Sequence, residues 1–114
     1  SEERADAAFD EDGERVVVTG TIVGSNGCMT ADVGSASYEK EANQLDVNVV
    51  TKERDDGGMC TQQFVGIDYD ATFSFDSGVP SGAAVSHNGQ GVMSAGYGSS
   101  SASGPDRNRT TGSV

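Results

Sequence analysis

The stretch FVGIDYDATFSFD, residues 64–76, decides the fold class of this chain. Apolar and polar side chains alternate strictly from Ile67 to Asp76. A period of two is typical of a β-strand with one buried and one solvated face, whereas a helix would scatter the aspartates around its axis. Phe64 lies out of phase with this pattern, and Gly66 is predicted to form a bulge that corrects the phase.

Two more segments carry strand patterns. The stretch RVVVTGTIV (15–23) is rich in β-branched residues, and its Gly20 indicates either a bulge or the close approach of another backbone. The stretch QLDVNVVTKE (44–53) alternates between apolar and polar side chains. We expect it to pair with residues 29–38, where the alternation breaks at GSAS, in a hairpin with a loop of about five residues.

Together these patterns predict an all-β fold. The stretch AAVSHNGQGVMSAGY (83–97) is expected to hold one or two further short strands, around Val85 and Val92. About 5–7 strands separated by turn signals predict an antiparallel β-sandwich, immunoglobulin-like in the loose sense. The expected core residues are Phe64, Ile67, Tyr69, Phe73, Phe75, Val16, Val18, Val47 and Val49.

The composition divides the chain into one domain and two polar ends. Residues 15–97 are predicted to form the β-sandwich domain, since the hydrophobic residues cluster there. Residues 1–14, SEERADAAFDEDGE, are predicted to be a solvated acidic arm in which Phe9 is the only large apolar side chain. Residues 98–114 are rich in Ser and Gly, low in apolar content, and predicted to be a flexible tail.

The charge of the chain excludes some partners. Among its 114 residues, 18 are Asp or Glu and 7 are Lys or Arg, which gives a formal net charge of -11. Such a charge repels nucleic acids and anionic lipid, so we expect neither as a partner. Aspartate exceeds glutamate and lysine is scarce, as on the surfaces of halophilic proteins, where concentrated salt screens the repulsion. No apolar run is long enough to span a membrane.

The two cysteines, Cys28 and Cys60, each stand beside a methionine, Met29 and Met59. Two thiolates and two thioethers would suit copper(I), but neighbouring residues of a strand point to opposite faces, and a blue-copper site needs more histidines than His87. A disulfide is therefore favoured over free thiols and over a metal site. It fits an oxidising compartment, and the methionines would then pack on the bridge as core filler.

No catalytic residue and no cofactor is predicted. His87 lies in the glycine-rich stretch VSHNG and is expected at the surface, and no nucleophile motif accompanies it. Asp68, Asp70 and Asp76 form a carboxylate row that is a weak candidate for holding a cation, with a solvated face as the favoured interpretation. Asn108 stands in a sequon and is a candidate for N-glycosylation if the chain is exported.

The order of motifs resembles a known kind of domain. A strand, a Cys after a turn, a charged hairpin, a second Cys and a Tyr-containing strand precede SGVPSGAAVSHNG (77–89), in which Pro80 opens a Pro-x-Gly turn. Over residues 15–93 this resembles small secreted or lipid-anchored β-sandwich domains of the haloarchaeal type. The resemblance implies a location at the cell surface, with a signal peptide and lipid-modified cysteine removed from this chain, and it supplies no activity.

These observations favour a non-enzymatic binding or structural module of a halophilic prokaryote, either secreted or anchored at the cell surface. Its expected partner is a protein or another component of the cell envelope. One alternative is a small secreted inhibitor that presents SGVPSGAA (77–84) to a protease, and another is an envelope metal-binding protein. An exposed apolar patch would favour the binding module, whereas a protruding rigid loop would favour the inhibitor.

Overall fold

The computed structural model describes residues 3–54, 59–76, 78–96 and 99–100. These residues form strands and turns, and none of them forms a helix of the length and hydropathy that a membrane span requires. The strands are β1 (Arg4–Asp10), β2 (Arg15–Gly24), β3 (Met29–Glu39), β4 (Gln44–Glu53), β5 (Val65–Ser74), β6 (Gly82–His87), β7 (Gln90–Gly96) and the two-residue β8 (Ser99–Ser100).

Two sheets contain these strands. One is three-stranded, in the order β1-β2-β5, and the other is five-stranded, in the order β3-β4-β6-β7-β8. All neighbouring strands are antiparallel except β4 and β6, which are parallel. The predicted all-β sandwich is therefore confirmed. Of the predicted flexible tail, residues 98–114, only Ser99 and Ser100 are described, as β8, and residues 98 and 101–114 lie outside the described residues.

The prediction of a solvated arm is wrong for residues 4–10, which form β1 and pair with β2. Phe9 lies opposite Val16 in this pairing and is fully buried, and Ala7 is buried opposite Val18. Small alanines and intervening charges hide the alternation of this segment. The inward face of β1 nevertheless holds only apolar residues, which is what a strand that covers a core requires.

The predicted hairpin is confirmed by the antiparallel pairing of β3 with β4. Its break in alternation has a structural cause, since the register shifts between Val33 and Ser35 and leaves Gly34 as a bulge. The extra residue returns the later apolar side chains of β3 to the inward face, where Ala36 lies opposite Val47.

The expected bulge at Gly66 is wrong, because β5 pairs with β2 in continuous register from Val65 to Ser74. Phe64 precedes the strand with 74% of its surface exposed, so it is not a core residue as predicted. At Gly20 the close approach is confirmed rather than the bulge. A Cβ there would collide with the carbonyl oxygen of Arg4 and would lie 2.5 Å from the hydroxyl of Tyr69.

The core lies between β1 and β2 on one side and β4, β6 and β7 on the other. Its buried apolar residues are Ala7, Phe9, Val16, Val18, Ile22, Leu45, Val47, Val49, Ala83, Val85, Met93 and Ala95. This confirms the four valines predicted for it. The other predicted core residues, Ile67, Tyr69, Phe73 and Phe75, pack against it but are only partly buried.

Candidate binding site

Cys28 and Cys60 form the predicted disulfide, with a Cα–Cα distance of 5.3 Å. Cys28 directly precedes β3, and Cys60 lies in the connection that leads to β5. A backbone hydrogen bond from the amide of Gly27 to the carbonyl of Thr61 (3.0 Å) joins the same two segments. The bridge therefore ties the residue before β3 to the connection that leads to β5.

The two methionines do not share the role that was expected of them. Met29 is half-buried and lies against Gly24, where its Cβ would be 2.8 Å from a Cβ added to that glycine. Met59, by contrast, is 97% exposed and cannot be core filler. With both cysteines bonded, neither offers a thiolate, so the four-sulfur copper site has lost two of its ligands.

The aspartate row runs along the outer face of the three-stranded sheet. Asp68 accepts a hydrogen bond from the hydroxyl of Thr21 (2.8 Å), Asp70 lies opposite Thr19, and Asp76 follows the end of β5. The described residues contain no group of three or more His, Cys, Asp or Glu side chains arranged to hold a metal ion. Asn108 lies outside the described residues.

Two other aspartates, Asp10 and Asp32, form ion pairs. The pKa of Asp10 is lowered by the backbone amide of Gly13 and then by the guanidinium of Arg15, which is 2.8 Å away. The pKa of Asp32 is lowered by the ammonium of Lys52, at 3.1 Å. Neither Asp68 nor Asp70 forms an ion pair with a described residue.

The segment proposed as an inhibitor loop does not protrude in its described part. Pro80 is fully buried, and residues 82–84 belong to β6 in the middle of the five-stranded sheet. The amide of Ser81 donates a hydrogen bond to the carbonyl of Asn43 (2.9 Å), which ties the segment to the loop between β3 and β4.

His87 was expected at the surface, but it is buried with 4% exposure. The turn begins one residue later, at Asn88–Gly89, where positive φ angles of 51° and 85° form a two-residue hairpin loop. His87 is therefore the last residue of β6, and its side chain points inward in phase with Ala83 and Val85. Continued alternation along β6 is the signal that would have predicted its burial.

A hydrogen-bonded chain of three side chains crosses the sandwich at His87. The carboxylate of Glu3 is 2.6 Å from Nδ1, and the hydroxyl of Tyr69 is 2.6 Å from Nε2. Because a carboxylate only accepts, Nδ1–H donates to Glu3 and Nε2 accepts from Tyr69. Glu3 also accepts a bond from the amide of Val23 (2.8 Å), so it holds the start of β1 against the end of β2.

Burial raises the pKa of the Tyr69 phenol, and the negative charge of Glu3 raises it further. A nucleophilic or general-base tyrosine needs the opposite shift, since only the phenolate is reactive. The side chain of His87 is also only 2% exposed. The hydrogen bonds from Tyr69 through His87 to Glu3 therefore satisfy buried polar groups and hold β5, β6 and the start of β1 together.

The remaining feature is a flank of the sandwich where two edge strands, β3 and β5, face each other. We call these strands and the groove between them the open flank. None of the residues of β3 or β5 is fully buried, and Val33 and Tyr38 on the inward face of β3 are 38% and 44% exposed. Inward residues of β5 are only half-buried along its whole length.

The groove of the open flank has a volume of about 340 Å³ and an aromatic floor. Tyr38, Phe73 and Phe75 line it, and the rings of Tyr38 and Phe75 meet edge to face with centroids 5.5 Å apart. No carboxylate, imidazole or amine is among the described residues that line it. A groove of this kind can hold apolar side chains, and its walls offer backbone groups at two sheet edges.

The sequence matches a family model, that of the ORF11 beta-sandwich domain, over residues 16–93. The match covers more than half of the chain and runs from the start of β2 into β7. No curated protein and no solved structure matches the sequence. The chain belongs to the ORF11 beta-sandwich domain family.

Proposed function

We propose that this member of the ORF11 beta-sandwich domain family is a non-enzymatic binding module of the cell envelope, and that the open flank is its binding site. One observation carries the proposal. The apolar inward faces of β3 and β5 remain partly uncovered, although the rest of the sandwich buries the corresponding positions almost completely. A contiguous exposed apolar surface on a small domain marks an interaction site.

Edge strands make this surface suited to a protein ligand. A groove between two sheet edges binds an extended segment through backbone hydrogen bonds, while alternate side chains enter the apolar floor. The lining supports a role without catalysis, since its described residues hold no acid, base or thiol. Phe64 adds exposed apolar surface directly before β5.

The envelope location and the halophilic origin are supported by chemistry rather than by the fold. A disulfide is typical of an oxidising compartment outside the cytoplasm. The net charge of -11 fits a surface that works in concentrated salt, as do Asp68 and Asp70, which form no ion pair with a described residue. We therefore place the module outside the cell, secreted or anchored at the surface of a halophilic prokaryote.

Salt titration tests the halophilic origin. Debye screening shortens from about 10 Å at 0.1 M salt to about 3 Å at 1 M, so repulsion between neighbouring carboxylates fades only at molar salt. We expect the melting temperature to rise gradually up to molar NaCl or KCl, similarly for both salts. A flat profile contradicts this origin. A sharp rise with micromolar calcium would instead favour the metal-binding alternative.

A pair of variants tests the binding site. Ala36 and Ser35 are exposed neighbours on β3, and the first faces inward while the second faces outward. Amide exchange of the whole chain is measured with a synthetic eight-residue peptide of alternating Thr and Val. We expect the peptide to protect amides of β5 and β3, Ala36→Gln to weaken this protection, and Ser35→Gln to leave it intact. Equal effects of the two variants would refute the site. So would a lack of protection by this peptide and by the corresponding peptides of alternating Lys and Val and of alternating Glu and Val.

A further inference from the structure

We propose that the occupant of the open flank is an extended segment of another protein that adds to β5 as a fourth strand of the three-stranded sheet. Its outward residues facing Asp68 and Asp70 are Lys or Arg, and its inward residues are apolar. This inference rests on the proposed function and specifies the chemistry of the partner.

The backbone of β5 is the better of the two edges for pairing. The bulge at Gly34 interrupts β3, and bulges are a device by which edges avoid pairing with other chains. The register of β5 has no such interruption over its ten residues, Val65–Ser74. Among the described strands, β5 pairs with β2 alone, and no described strand covers its other edge.

The side chains of β5 specify what an added strand must carry. Inward positions 67, 69, 71 and 73 are apolar or aromatic and half-buried, so apolar residues of an added strand would cover them. Outward positions 68 and 70 are aspartates. Since opposite charges on directly facing strand positions stabilise pairing, the added strand needs two cations separated by one residue.

The outer face of the sheet leaves Asp70 without a cation in its cross-strand row, whereas the row of Asp68 contains Arg4, which lies opposite Thr21. In one cross-strand row Asp10 lies opposite Arg15, and the two neutralise each other. In the row that ends at Asp70, the preceding residues are Asp6 and Thr19, so the row carries two acids and no base. An incoming Lys or Arg at the margin of β5 would supply the missing charge.

A second copy of this chain fits the edge poorly. Antiparallel pairing of β5 with β5 of another copy, centred on residues 68–70, would bring Asp68 and Asp70 opposite or diagonal to the same aspartates. Like charges on facing strand positions destabilise pairing, and each copy also carries a net charge of -11. Self-pairing of β5 is therefore unfavourable, and the proposed occupant is a basic strand of a different protein.

Four synthetic octapeptides test the inference with the full chain at low salt: alternating Lys and Val, alternating Thr and Val, alternating Glu and Val, and a block peptide Lys4Val4. Amide chemical shifts report the site, and titration gives the affinity. We expect the alternating Lys-Val peptide to bind most tightly and to shift amides of β5. Asp70→Asn should weaken it up to about fivefold, the factor equivalent to a cross-strand pair of about 1 kcal/mol. Asp6→Asn, in the same row two strands away, should weaken the affinity less than Asp70→Asn does, because its carboxylate lies further from the added strand.

The outcomes separate this inference from the proposed function. Equal binding of the Lys-Val and Thr-Val peptides at β5, unchanged by Asp70→Asn, overturns the basic partner and leaves the binding site standing. Equal binding of the block peptide, or shifts scattered away from β5, overturns strand addition. A dimer of the chain alone that protects β5 overturns the choice of partner. If no alternating peptide affects β5 or β3, both the inference and the proposed binding site fail.

Discussion

The two edge strands of the three-stranded sheet, β1 and β5, differ in a way that their sequences do not suggest. β5 shows strict alternation over ten residues, yet none of its residues is fully buried. β1 lies in an acidic segment with a single large apolar side chain, yet that side chain, Phe9, is fully buried. Both strands flank β2 and present apolar residues inward.

The difference comes from what faces each strand across the sandwich. β1 packs against β6 and β7, which are interior strands of the five-stranded sheet. β5 instead faces β3, which is itself an edge. A period of two thus indicates which face of a strand is turned inward, while the opposite sheet determines how deeply that face is buried.

Replacing Phe9 with alanine tests this contrast most strongly. A fully buried phenylalanine cut to alanine leaves a cavity, and we expect the free energy of unfolding to fall by about 3–5 kcal/mol. Chemical denaturation of the purified chain measures the loss. Phe64→Ala is the matched control, because Phe64 is mostly exposed and its loss should cost within about 0.5 kcal/mol. A small loss for Phe9→Ala would mean that β1 is the arm that its composition suggests.

The fold class could be predicted from the sequence because strand alternation is a local signal. The pairing of residues 29–38 with 44–53 followed in the same way from a short connection between two alternating stretches. β1 was missed because Ala5 and Ala7 are small and the neighbouring charges dominate the composition. Its burial depends on β6 and β7, which lie more than 70 residues further along the chain.

Removing the disulfide tests how the open flank is held together. The bridge spans a sequence separation of 32, and by chain entropy it stabilises the fold by about 3–4 kcal/mol. We expect the double variant Cys28→Ser and Cys60→Ser to lose this amount in denaturation. Amide exchange should accelerate first in β3 and β5, because the bridge joins the residue before β3 to the connection before β5, and later in β1. A uniform acceleration across all strands would show that the two flanks do not differ in local stability. Reductant should have no further effect on the variant.

Less of the candidate site than of the fold could be predicted from the sequence. The disulfide was predicted, since only two cysteines are present and both adjoin turns. Hydrogen bonding of His87 to Glu3 joins residues 84 positions apart, and no local pattern reports such a contact. The open flank depends on strand order, because β6 pairs with β4 and not with β3, and β5 pairs with β2 alone among the described strands.

The Phe73→Ala variant measures how much a half-buried aromatic residue of the open flank contributes to the free energy of unfolding. Phe73, in β5, lies opposite Val16 of β2. It is only half-buried and lines the groove. We expect a loss of about 1–3 kcal/mol, below the range for a fully buried phenylalanine. The comparison with Phe9→Ala under the same denaturant is the decisive measurement. Equal losses for the two variants would show that both flanks bury their aromatic residues alike.

The smallest effect is expected at alkaline pH, from Tyr69, which joins β5 to β6 through His87. Its pKa is raised in the folded chain by burial and by Glu3, whereas in the unfolded chain it has the ordinary value of about 10. The contribution of the neutral phenol is therefore complete below pH 10. It is lost as the pH rises further, because the unfolded chain then releases a proton that the folded chain retains.

Tyr69→Phe should remove this pH dependence. At pH 8 the variant is expected to be less stable than the original chain, since His87 loses a hydrogen-bond donor in a buried place. Between pH 8 and pH 11 the original chain should lose more stability than the variant, so that the difference between them narrows. Denaturation midpoints at several pH values measure this difference. A constant difference across the range would mean that Tyr69 ionises at its ordinary pH, and hence that β5 is open to water even where it meets the buried His87.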